Sequence, residues 1–158
     1  MNQRSIALIV IGAALLFLVV AAVVAGLVIG GVVGAVAGRG GGLEVRTEKP
    51  ASMEELRDSY RLETGTLEIN LQDLTLPEGT TEVEAGIGDG ALTVVVPKGV
   101  AVRAHAEVGN GALSILGDVA SGENLDRDYE SEGYAGADRK LSLELSAGTG
   151  VVTVVREE

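Results

Sequence analysis

One histidine, His105, stands in a chain that has no cysteine. Disulfide frameworks, thiolate metal sites and cysteine nucleophiles are therefore excluded. A single imidazole is too few for the usual tetrahedral zinc centre. His105 alternates with Arg103 and Glu107 on what reads as the polar side of a strand, so its simplest role is that of a solvated side chain. Gly86-Ile87-Gly88-Asp89-Gly90 superficially resembles a calcium-binding solenoid repeat. That motif needs tandem nonapeptides with an aspartate in each, whereas the corresponding positions here carry Asp89, Asn110 and Thr149 at wide spacing. The Gly-x-Gly units also lack the third glycine and the following helix of a dinucleotide site. Asp126, Asp128, Glu130 and Glu132 form an acidic alternating run that reads as a solvated loop. With neither a nucleophile elbow nor a phosphate loop, the sequence predicts no catalytic residue, no metal ligand and no cofactor.

The glycines mark the elements that would carry any function. Thr64-Gly65-Thr66-Leu67-Glu68-Ile69 matches Asp89-Gly90-Ala91-Leu92-Thr93-Val94, Asn110-Gly111-Ala112-Leu113-Ser114-Ile115 and Thr149-Gly150-Val151-Val152-Thr153-Val154. In the last three a further glycine precedes by two: Gly88, Gly109 and Gly148. The spacing from Gly65 to Gly90 to Gly111 is near 20, and the gap to Gly150 is close to two units, or to one unit plus an insertion. Such a period predicts strand–turn–strand layers stacked on one another, with Gly65, Gly88, Gly90, Gly109, Gly111, Gly148 and Gly150 as structural corners. Around them the hydrophobic period is two. Leu67, Ile69 and Leu71, then Val83, Ala85 and Ile87, then Val102, Ala104, Ala106 and Val108, then Leu141, Leu143 and Leu145 alternate with mostly polar residues. The expected fold is all-β, a stacked-hairpin solenoid or sandwich with one face of each strand solvated.

Three segments depart from this pattern. Leu43–Lys49 is a short alternating strand closed by Pro50. Ser52-Met53-Glu54-Glu55 has the form of a capping box, which predicts a short helix bearing Met53, Leu56 and Tyr60 on one face, with extension into the next strand as the competing reading. That helix or the first strand would cover one end of the stack. Residues 117–140 are rich in Gly, Asp, Glu and Ser and read as a long surface loop. The domain proper thus runs over 51–158, behind a glycine-rich tether and first strand at 39–50.

The N-terminal 38 residues are of another kind. From Ile6 to Gly38 no residue is charged or strongly polar, and about 20 apolar residues suffice to cross a bilayer. A single uncleaved transmembrane helix from Ser5 to Val28 or slightly beyond is the economical reading; a secretory signal peptide would carry a much shorter apolar core. Gly26, Gly30 and Gly34 form two consecutive Gly-x-x-x-Gly pairs that would let two such helices approach closely. Lys and Arg counted on either side lean towards a cytoplasmic C-terminal domain. Eleven of the 12 basic residues and all 23 acidic ones follow this segment, which leaves that part at net −12. Such a charge argues against nucleic acid and against adsorption to anionic lipid, and it favours solubility.

Tyr60 to Leu71, Leu76-Pro77-Glu78-Gly79, Gly88 to Pro97, Val108 to Leu113 and the closing Leu141–Arg156 resemble the toast-rack domain. That domain ends LiaF-type envelope-stress proteins and many phage-shock protein C homologues. The resemblance covers Leu43 to Arg156. It implies stacked β-hairpins with no enzymatic role, acting at membranes through contact with a sensor kinase or another membrane protein. Relatives usually carry several membrane helices or a separate phage-shock domain, where this chain carries one apolar segment. The expected function is therefore a membrane-anchored sensing or interaction module, with a self-associating structural or adhesive solenoid as the alternative. Interfaces concentrate their energy in Tyr, Trp and Arg. Outside the expected core these cluster as Arg127, Tyr129, Tyr134 and Arg139, the expected partner contact. The exposed strand face at Arg103, His105 and Glu107 competes with them.

Overall fold

The computed structural model describes residues 44–156. The expected membrane span, its glycine stripe and the tether lie outside them. Among the described residues no helix is long and apolar enough to cross a membrane.

Six strands form one sheet: β1 (Glu44–Glu48), β2 (Ser59–Asn70), β3 (Gly79–Val96), β4 (Ala101–Ile115), β5 (Asp118–Glu130) and β6 (Arg139–Arg156), in the order β1-β2-β3-β6-β4-β5. Every neighbouring pair is parallel except β4 with β5. The repeat unit is therefore one long strand and not an antiparallel hairpin. Parallel neighbours usually need a long crossover connection, but only residues 97–100 join β3 to β4.

The strands resolve this by folding back on themselves. Thr80 and Ala101 both pair with Lys140, so they sit about 10 Å apart. Val96 can lie no more than about 18 Å from Ala101 along the chain. A straight strand from Thr80 to Val96 would instead measure about 53 Å. The burial pattern marks where the fold-back occurs. Inward residues are Val83, Ala85 and Ile87 before the corner of β3, then Leu92, Val94 and Val96 after it. The step from Ile87 to Leu92 is odd, which exchanges the inward and outward parities. The same five-residue step separates Val108 from Leu113 in β4 and Ala147 from Val152 in β6. Both halves of the sheet thus bury their apolar faces in one aliphatic core.

At the corner, Gly65, Gly90, Gly150 and Gly111 stand side by side across four strands. Gly90 has φ +138°, and a Cβ on it would collide with the carbonyl oxygen of Gly65. Backbone approaches this close leave room for hydrogen only. The long gap between Gly111 and Gly150 is one unit plus an insertion, because β5 intervenes and β6 then slots between β3 and β4.

Two further expectations need correction. The segment after Pro50 is a turn and not a helix. The N–H groups of Glu55 and Leu56 both donate to the carbonyl of Ser52 at 3.2 Å, and the Glu55 carboxylate accepts from the Ala51 N–H at 2.9 Å. Tyr60 is recruited into β2 and buried, with its hydroxyl accepting the Arg57 N–H at 3.0 Å; a helix running through it would forfeit that ladder. Residues 117–140, expected as a loop, instead contain β5. Leu116 (φ +47°) and Gly117 (φ +100°) make the tight turn that returns the chain along β4. A short 3-10 turn at Tyr134–Gly136 then leads into β6.

Candidate functional site

Pairing of β4 with β5 gathers the ionisable side chains of this end of the sheet on its outer face. Arg103 lies opposite Glu130, His105 opposite Asp128 and Glu107 opposite Asp126. Strand alternation sends these six outward while Ala104, Ala106 and Val108 face the core. Arg103 donates to Glu130 from Nε at 2.9 Å and from Nη2 at 2.6 Å. The His105 Nδ1 lies 2.8 Å from an Asp128 oxygen and 3.7 Å from Asp126, while Nε2 lies 3.5 Å from Glu107. The hydrogen bond to Asp128 raises the pKa of His105 above its ordinary value; partial burial opposes this, and the fields of Asp128 and Asp126 add to it. Glu144 of β6 flanks His105 on its other side in the ladder. His105 is thus the basic side chain that answers Asp128 here.

His105, Asp126 and Asp128 offer a nitrogen and two carboxylate oxygens within 4.8 Å of one another. The aspartates are largely exposed, and Nδ1 already engages Asp128. This set is an exposed ion-pair cluster, without the enclosing shell and supporting hydrogen bonds that fix a metal.

The expected contact residues do not form one surface. Tyr134 is buried, with the Arg103 guanidinium 4.6 Å from its ring centre and the Lys140 ammonium at 5.6 Å. It anchors the turn before β6 and cannot face a partner. Tyr129 is half-buried against the core. Arg127 is exposed on β5, and Arg139 is exposed at the start of β6. Arg139 borders an open cleft of 490 Å³ between residues 72–76 and 96–100. The competing surface, Arg103, His105 and Glu107, is continuous with Asp126, Asp128 and Glu130. The loop and the strand face weighed separately in the sequence are one β4–β5 surface. The signal for it was the alternation of Leu125, Arg127 and Tyr129 with Asp126, Asp128 and Glu130.

An all-β scaffold of in-register strands with glycine corners, bearing an ionic outer face and a free edge strand, defines a toast-rack-type module. The model of the family "Cell wall-active antibiotics response LiaF, C-terminal" matches residues 57–154, and the chain belongs to this LiaF-like family. No curated protein matches the chain significantly. Among solved structures, a crystal structure described as that of a putative cell adhesion protein from Clostridium sporogenes is similar, with a TM-score of 0.45 and 24% identity. The match covers 63% of this chain and 54% of that one, so the chain spans about half of that protein's length.

Proposed function

We propose that this chain is a membrane-anchored, non-enzymatic sensing and interaction module of the cell-envelope stress response. Membership of the LiaF-like family carries the reading. The apolar run from Ile6 to Gly38 supports the anchor, and the excess of Arg and Lys just beyond it favours a cytoplasmic domain. The partner is a membrane or signalling protein.

The corner geometry favours this module over a self-associating solenoid. A Cβ on Gly111 would meet Gly150, one on Gly150 would meet Gly90, one on Gly90 would meet Gly65, and one on Gly65 would meet Glu44. All four point towards the β1 edge. A Cβ on Gly88 likewise would meet Glu63. Glycine is thus demanded wherever another strand lies on that side. Glu44, on the edge strand β1 at the outermost place of the first row, is not glycine, so another strand laid along β1 in the same register would collide with its side chain.

Light scattering of the full chain in detergent micelles tests the reading. A module keeps one mass as protein concentration rises, whereas a polymer grows. Carbonate washing of membranes tests the anchor: an anchored protein stays in the pellet, and a soluble product starting near Gly40 would revive the signal-peptide alternative.

A further inference from the structure

β5 is an outermost strand, and among the described residues it pairs with β4 alone. Half of its backbone N–H and C=O groups therefore point away from the sheet, ready to accept another strand. Leu125–Glu130 is the regular stretch beyond the kink at Gly122 (φ +145°) and Asn124 (φ +50°). Its two faces differ. Leu125 and Tyr129 are half-buried against the core. On the outer face Glu130 is neutralised by Arg103, while the ion pairs of Asp126, Asp128 and Glu107 among the described residues are all with the one His105. Arg127 has the inward parity and does not answer them. A second copy of β5 would bring the same carboxylates beside one another, which disfavours self-pairing.

We propose that the Leu125–Glu130 edge captures an extended basic segment of another protein as an added strand. Lys or Arg at alternate positions of that segment meets Asp126 and Asp128, and the intervening apolar residues rest beside Leu125 and Tyr129. The backbone supplies affinity and the acidic row selects the partner and speeds encounter. This assignment rests on the interaction-module reading and names the chemistry of the partner.

The test uses the full chain in detergent micelles and a fluorescent peptide of about eight residues alternating Lys and Val, a length typical of a single strand. Anisotropy should report saturable binding. Reversing both charges with Asp126→Lys and Asp128→Lys should weaken it by about tenfold or more, while Glu82→Lys, on the outer face of β3 away from this edge, should leave it unchanged. N-methylation of alternate peptide amides keeps the charge but removes donors, and it should abolish binding irrespective of how well any variant folds. Equal binding of the methylated peptide, or an equal loss with Glu82→Lys, would reduce the effect to general electrostatics and overturn the proposal. No binding by the Lys-Val peptide would also overturn it. In that case a photoreactive residue at Arg127 that still captures one discrete protein in membranes would leave the module reading standing. A capture that fails as well would count against both.

Discussion

Replacing Gly90 with alanine adds one methyl group at the centre of the corner. The structure sets two costs. Gly90 has φ +138°, and holding an L-residue in such a region costs about 1–3 kcal/mol. The new Cβ must also move away from the Gly65 carbonyl. That shift loosens the ladder between β2 and β3, where each lost hydrogen bond is worth roughly 0.5–1.5 kcal/mol. Together they place the destabilisation at about 2–4 kcal/mol, or roughly 8–17 °C in Tm for a domain of this size. Gly99→Ala separates the two causes, because Gly99 has φ +70° and an added methyl there would find nothing within 4 Å. It should suffer the conformational cost alone, about 1–2 kcal/mol. Thermal and denaturant unfolding of the full chain in micelles, followed by circular dichroism, measures both. If Gly90→Ala and Gly99→Ala unfold together, close strand approach is not what demands glycine at the corner.

Three further outcomes are expected. His105 has its pKa raised by Asp128 in the folded state, so its stabilising contribution is complete below the ordinary histidine value and is lost as pH rises through the raised one. The stability advantage of the parent over His105→Gln should therefore be full below the ordinary histidine value of about 6.5 and shrink as pH rises above it; a difference that ignores pH would remove the His105–Asp128 ion pair from the account. Tyr134→Ala should cost about 2–4 kcal/mol by emptying a buried site, whereas Tyr134→Phe keeps the ring beneath Arg103 and Lys140 and should unfold close to the parent. Equal losses in the two variants would place the role in the hydroxyl. Glu44→Gly clears the outer corner on β1 and should increase self-association seen by light scattering; an unchanged mass would show that other features guard this edge.

Strands whose inner residues are aliphatic were legible in the sequence because one buried face imposes a period of two. The glycine corners were legible too, since a collision with a neighbouring carbonyl admits no substitute. β5 was not, because an edge strand needs little burial: Val119 is 55% exposed, and its acidic row looks like any solvated loop. The Ser52–Glu55 pattern was a sound local signal that lost to the burial of Tyr60 in β2. Parallel pairing was hidden for a different reason. A fold-back within one strand and a hairpin between two give the same local alternation, and only the parity change at Gly88–Gly90 distinguishes them. Insertion of β6 between β3 and β4 depends on contacts far apart in sequence. His105 could be read as exposed and polar, but its position opposite Asp128 follows from the β4–β5 register and from nothing local.

Photocrosslinking in intact membranes tests the central claim most directly. A photoreactive residue at His105 or Arg127, on the outer face and free edge, should capture one discrete protein, while the same residue at the buried Tyr134 should capture none. A ladder of self-multimers from the exposed positions, with no second protein in it, would contradict an interaction module and put the self-associating solenoid in its place.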